Sequence, residues 1–128
     1  TSDAFWAPEH RGSKFKTPYH YALSALRAGD WRPASLQPVV LSLAAQGMPL
    51  FGCPTPDGYK NTAAAWRNPE ALTQRVQWAT RLAQGRSADA LLATLGPAIS
   101  ERTREAVRTE APAAQAALLL ASPDFMKR

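Results

Sequence analysis

Few residues in this chain have the type and spacing for chemistry. His10 and His20 are the only histidines, and Cys53 is the only cysteine. Neither histidine falls in an HExxH or a Cys/His ligand pattern, the spacings that bring several nitrogen or sulfur donors onto one metal ion. Glu9, His10, Cys53 and Asp57 come from separate stretches, and nothing in their spacing assembles them, so no metal is assigned. His20, close to a helix start, reads as a solvated or packed side chain. Cys53 needs a neighbouring cation or a helix N-terminus to lower its pKa before it can act as a nucleophile. The simpler reading is a small buried apolar residue. Asp57 and Glu70 are carboxylates of the type used in glycoside hydrolysis, but the carboxylate separation decides that chemistry and spacing along the chain does not give it. GxSxG, GxxxxGK[ST] and GxGxxG do not occur, which leaves no catalytic residue and no cofactor to assign.

The segment GMPLFGCPTPDGYKNTAAAW, Gly47 to Trp66, is the distinctive one. It holds three prolines, three glycines, the cysteine and three aromatic residues. As structure, Pro49, Pro54 and Pro56 reduce the entropy of the unfolded loop, while Leu50, Phe51, Tyr59 and Trp66 pin it to the helices. As function, exposed Tyr59, Phe51 and Trp66 with Asp57, Lys60 and Asn61 beside them form a surface on which a sugar or peptide could stack and hydrogen-bond. Phe51 and Trp66 are expected to be anchors, because they stand at the two ends of the loop where helices converge. Tyr59, directly after the turn at Gly58, is expected to face solvent with Asp57 and to be the first contact residue.

The elements that position this loop are helical. At 128 residues the chain suits one domain, and 45% hydrophobic with 20% charged residues is ordinary globular composition. Eleven prolines predict short elements with rigid joints. The net charge of +5 is scattered. Nucleic-acid binding needs a cluster of phosphate-neutralising groups; the nearest approach is Arg11, Lys14 and Lys16, read as a solvated run. No run reaches the ~18 apolar residues of a membrane span. The N-terminus has neither a signal peptide nor an initiator methionine, so Thr1 is expected to be a processing site or an internal boundary.

Residues 1–16 show no sustained periodicity and are expected to form an extended arm whose Phe5, Trp6 and Phe15 need a surface to cover them. Thr17-Pro18 is a cap-and-proline helix start, with Tyr19, Leu23 and Leu26 on the apolar face. Ser35 opens a second helix with a stripe of Leu36, Val39, Val40 and Leu43. TPDG, Thr55 to Gly58, fits a type I turn, and Asn61 or Thr62 caps a short turn to Trp66. Asn68-Pro69 starts the most regular helix, with Leu72, Val76, Ala79, Leu82 and Ala83 inward. Ser87, Ser100 and Pro112 start three more, and Glu101–Arg104 and Glu105–Arg108 are spaced to pair. No segment alternates over the length of a strand. The prediction is an all-α single domain over 1–128, with about six or seven short helices in an irregular bundle and one long loop at 47–66.

Three segments taken in order, KTPYHYALSALRA, QGMPLFGCPTPDGY followed by AAAW, and LLLASPDF, resemble the C-terminal part of the bacterial family called domain of unknown function eighteen-hundred (DUF1800). That resemblance implies a long helical protein, commonly carrying an export signal and often encoded beside a second exported family resembling sulfatases. It implies periplasmic or secreted localisation, and that this chain is the C-terminal portion of a protein several times longer. The chain departs from the pattern at His20, where the family often has an acidic residue two places after the motif proline. The function expected on this basis is structural or protein-docking, toward the rest of its own chain or another exported protein. The alternative is an aromatic loop contributed to a glycan-binding, peptide-binding or hydrolytic site that the preceding part completes.

Overall fold

A computed structural model describes residues 7–128 other than Arg11. Seven α-helices account for the regular structure among the described residues: α1 (Pro18–Ala28), α2 (Gln37–Ala45), α3 (Ala63–Trp66), α4 (Pro69–Ala83), α5 (Ala88–Leu95), α6 (Glu101–Arg108) and α7 (Pro112–Ala121). Single 3₁₀ turns lie at Pro8–His10 and Gly96–Ala98. The all-α architecture matches the expectation from periodicity. Phe5, Trp6 and Arg11, assigned above to an extended arm, lie outside the described residues.

The helix starts follow the local chemistry. Thr17 caps α1 by accepting from the His20 amide, Asn68 Oδ1 accepts from the Ala71 amide at 2.8 Å, and Ser87 and Ser100 cap α5 and α6. Each satisfies an amide that would otherwise lack a partner at a helix terminus. α4 and α7 pack along one another as the spine, α5 and α6 lean on α7, and α1 and α2 close the other side.

Alanine is the main contact residue of this core. Ala22, Ala25 and Ala28 of α1, Ala79 and Ala83 of α4 and Ala116 of α7 are buried, and their small side chains let helix axes approach. The predicted faces shift accordingly. On α1 the buried face carries Tyr21, Ala22 and Ala25, while Tyr19 is exposed and Leu23 and Leu26 are half-buried. On α4 the innermost line runs through Ala71, Arg75, Trp78 and Ala79, which turns Val76 outward. The predicted stripe of α2 differs most. Leu43 is its one buried member, Val39 is half-buried, and Leu36 and Val40 face solvent. The helix begins at Gln37, whose amide donates to Ser35 Oγ.

The predicted surface ion pairs are replaced by a different arrangement. Arg104 donates instead to the carbonyls of Ile99 and Gly96, closing the joint between α5 and α6. Glu101 meets Arg108 at 4.0 Å with both side chains exposed, a contact of little energetic weight.

The segment before α1 is tied to the segment after α7. Lys14 and Arg128 exchange backbone hydrogen bonds, the Lys16 amide donates to the Met126 carbonyl at 2.7 Å, and Phe15 forms an antiparallel bridge with Lys127. Asp124 Oδ2 accepts from the Ser100 amide, Ser100 Oγ and Thr103 Oγ1. The terminal SPDF segment thereby caps α6 with Asp124 and fills the core with Phe125.

Candidate functional site

The loop from Gly47 to Thr62 is held by two aromatic residues and displays a third. Trp66 is buried, and its indole Nε1 donates to the Lys60 carbonyl at 2.7 Å. Tyr59 stands against it with ring centroids 6.1 Å apart, and the Tyr59 hydroxyl donates to the Pro49 carbonyl at 2.6 Å. That bond crosses the loop and fixes its tip. Trp66 is the anchor the sequence suggests. The expected roles of the other two aromatics are exchanged: Tyr59 is half-buried and bonded inward, whereas Phe51 is fully exposed.

Phe51 is also strained. The Gly52 amide donates to the Pro49 carbonyl, closing a turn in which Phe51 takes the third position with φ of +59°. A side chain at that left-handed position costs roughly 1–2 kcal/mol, and glycine is the residue that adopts it freely. This turn instead presents a phenylalanine to solvent beside the exposed Leu50. The exposed ring makes no packing contact that would offset this backbone cost.

No Asp, Glu, Lys, Arg or His occurs between Pro33 and Pro56. Leu36 just before α2 and Val40 and Leu41 on it are exposed within that stretch, as are Leu50 and Phe51. Beside Leu41 a groove of about 480 Å³ opens between α2 and α4, with Trp78 and Leu82 in its wall and Arg81 also lining it. Asp57 is fully exposed, and a hydrogen bond from Thr55 holds its carboxyl below the ordinary carboxylate range. Cys53 is half-buried, with Sγ 3.9 Å from Thr55 Oγ1.

A second cluster escaped the sequence reading. Arg75 is completely buried, and no carboxylate contacts it among the described residues. Its Nη2 donates to the Lys16 carbonyl at 2.8 Å, and Nη1 lies 3.6 Å from Met126 Sδ. The guanidinium sits over the rings of Phe15 and Tyr21, at 4.7 and 5.1 Å from their centroids. Electron-rich π faces and a carbonyl thus stand where an acid would be expected. Burial lowers its pKa to about 10, so it remains a cation at neutral pH. The sequence places Lys16 in a solvated basic run. The structure buries it, with Nζ 3.9 Å from the centroid of Phe125. Burial first, and the Arg75 charge second, bring its pKa down to about 8.

At the rim of this cluster, Arg128 donates from Nη1 toward His20 Nε2 and from Nη2 to Asn61 Oδ1, each at 3.2 Å. A guanidinium only donates, so Nε2 accepts and the imidazole proton resides on Nδ1, from which it is given to Thr17 Oγ1 at 2.7 Å. Thr17 is therefore an acceptor from His20, the reverse of an activated hydroxyl nucleophile. Burial, then the charges of Arg128 and Lys16, lower the His20 pKa. The one sequence signal that could have found Arg75 is its place on the inward line of Ala71, Trp78 and Ala79, where a basic residue is out of character.

Of the ligand set considered in the sequence, the Glu9 side chain lies outside the described residues. Among the described residues, no group of three or more His, Cys, Asp or Glu side chains is placed to hold a metal ion. No described helix is long and apolar enough to cross a membrane.

An all-α fold in which the segments flanking α1 and α7 pair and an aromatic turn is strained defines an architecture rather than an activity. The chain belongs to the family described as protein of unknown function (DUF1800), whose family model matches residues 1–127. No curated protein and no solved structure matches the chain.

Proposed function

We propose that this chain is a non-catalytic docking module of an exported protein, and that the uncharged surface of α2 and the Pro49–Gly52 turn receives the rest of its own longer chain or another exported protein. The observation that carries the reading is Phe51, fully exposed and held at φ +59° by a turn that the Tyr59–Pro49 hydrogen bond braces. Apolar patches of this type mark interaction sites, and Phe51 has the bulk of an interface anchor. Export and a longer parent chain are what family membership implies. A sugar-stacking wall is less well supported, because the Tyr59 hydroxyl is engaged inward and Trp66 is buried.

The test begins with the reading frame upstream of Thr1, which is expected to encode a long helical extension and an export signal. A photo-crosslinking amino acid at position 51 of that full-length protein is then expected to join either the upstream segment or a second exported protein. A start codon directly before Thr1 without a signal would remove the exported, longer-chain part of the reading. Absence of crosslinks from position 51, with crosslinks from a control surface position equally absent, would remove the docking part.

A further inference from the structure

Val76, which α4 turns outward, does not simply meet solvent. It lines a cavity of about 370 Å³ together with Phe15, Leu72 and Met126, and the exposed Arg67, Lys127 and Ser13 line it as well. This cavity shares no residue with the groove beside Leu41, so docking through Phe51 leaves it unexplained. We propose that it binds a small amphipathic carboxylate, with the apolar body against Phe15, Val76 and Met126 and the carboxylate on Arg67 and Lys127.

The lining decides the class of ligand. Apart from Arg67, Lys127 and Ser13 every lining residue is apolar, and no carboxylate is among them. The volume lies near the lower end of the range for ligand pockets, roughly 300–1,000 Å³, which suits a small molecule. Ser13 Oγ already donates to the His10 carbonyl at 2.7 Å, so a polar head group is left with the two cations. The Arg67 guanidinium carbon is 5.9 Å from the centroid of Phe15, at the outer limit of a cation–π contact. Among the described residues neither Arg67 nor Lys127 forms an ion pair. A planar guanidinium presents paired N–H groups that match a carboxylate.

The floor of the cavity is already fixed. Phe15 bridges antiparallel to Lys127, and the Lys16 amide donates to the Met126 carbonyl. The buried Arg75 guanidinium lies 4.7 Å from the Phe15 centroid. The ring therefore needs no ordering when a ligand arrives, which lowers the cost of binding. With Arg75 and Arg67 both in reach of one ring, the local potential is positive and favours an anionic head over a neutral one. Asp124, three residues before Lys127, leaves this charge in place, because its carboxyl is engaged by Ser100 and Thr103.

Titrating the chain with octanoate, with its neutral counterpart octanol, and with acetate, all at constant ionic strength, tests this. The methyl resonances of the two methionines report the location, since Met126 lines the cavity and Met48 does not. Octanoate is expected to saturate one-to-one and to move Met126 while leaving Met48 in place. Octanol is expected to bind about tenfold or more weakly, having no charge for the two cations, and acetate is expected not to saturate. Arg67→Gln should weaken octanoate by about tenfold and leave octanol unchanged. Val76→Asp, which sets a like charge against the carboxylate, should abolish octanoate binding. Both side chains are exposed, so neither substitution removes core packing. Failure of octanoate to saturate, saturation that leaves Met126 unmoved, equal affinity for octanoate and octanol or for octanoate and acetate, or undiminished octanoate binding in either variant would overturn the proposal.

Discussion

Lys16 Nζ stands 3.9 Å from the centre of the Phe125 ring, so a residue preceding the first helix caps the aromatic residue that follows the last one. Phe125 in turn meets Tyr21 edge-on at 5.6 Å, and the Tyr21 hydroxyl donates to the Leu120 carbonyl at 2.9 Å. The KTPYHY and SPDF segments, read separately as a helix start and a chain ending, are two halves of one buried assembly around Arg75.

This assembly sets an alkaline stability profile. The folded-state pKa of Lys16 is lowered from 10.5 to about 8, first by burial and then by Arg75. Between these values the unfolded chain binds more protons than the folded one, so stability rises with pH. Tyr21 acts oppositely: burial raises its pKa above 10, so the unfolded chain ionises first and stability falls above that pH. Urea midpoints are expected to climb from pH 8 to about pH 10; above that the lowered pKa of Arg75, about 10, adds a rise that opposes the Tyr21 decline. Lys16→Met should abolish the climb between pH 8 and about pH 10. A wild-type midpoint that only decreases over this range would contradict the burial of the ammonium.

Much of this fold was legible because its helix boundaries are written locally. Thr17-Pro18 and Asn68-Pro69 combine a side-chain acceptor with a residue that needs no amide partner, and both start helices where predicted. Which face turns inward was less legible. Leucines suggested the contact lines, but close helix approach favoured Ala22, Ala25, Ala79 and Ala116, and periodicity does not reveal axis separation. Phe51 differs from expectation for a related reason: it takes the left-handed position of the turn closed by the Gly52 amide and the Pro49 carbonyl, the same carbonyl that Tyr59 reaches from ten residues away. The Lys16–Arg75 cluster depends on the segments before α1 and after α7 as well as on α4, beyond the reach of any local pattern.

The three loop aromatics should separate in stability. Trp66→Ala removes a buried ring and the bond to Lys60, and should lower stability by about 3–5 kcal/mol. Tyr59→Phe keeps the ring and loses the bond to Pro49, for roughly 0.5–1.5 kcal/mol. Phe51→Ala, at a fully exposed position, should stay within roughly ±0.5 kcal/mol. Phe51→Gly relieves the positive φ and offsets that gain with greater unfolded-chain entropy, so it should be neutral to about 1 kcal/mol stabilising. Denaturant midpoints of the four variants give the order directly, and a large loss at Phe51 would mean that its ring is packed.

Asp124 should behave as the cap of a helix outside its own segment. Its Oδ2 accepts three hydrogen bonds from Ser100 and Thr103, and the Ser100 hydroxyl is the main cause of its lowered pKa. Asp124→Ala should cost about 1–3 kcal/mol and loosen α6 in particular. Hydrogen exchange is the suitable measurement, with faster exchange at Ser100 and Thr103 than in α4. The carboxylate contribution is present above the ordinary Asp pKa of 3.8 and disappears as pH falls through the lowered folded value. Uniform acceleration across all helices would show instead that Asp124 supports the whole domain equally.

Arg75 poses the sharpest question, because two opposing effects meet in one side chain. Its guanidinium bridges the Lys16 carbonyl and two aromatic rings, which stabilises the junction, yet it is an uncompensated buried charge that also raises the free energy of protonated Lys16. Replacing a buried ion by an apolar residue of similar size often costs little, whereas truncating it leaves both a cavity and an unpaired carbonyl. Arg75→Ala should therefore lose about 2–4 kcal/mol. Arg75→Met should lose only about 1 kcal/mol, since the volume is largely kept and one hydrogen bond is gone. Because Arg75 is the second cause of the lowered Lys16 pKa, the Met variant should also move that pKa back from about 8 toward 10.5 and flatten the alkaline rise in stability. Direct NMR titration of the Lys16 ammonium, alongside urea midpoints at neutral pH, measures both effects. Equal losses for Ala and Met would show that the hydrogen bond and the π contacts outweigh the charge penalty, making the guanidinium itself the tie between the segments that flank α1 and α7.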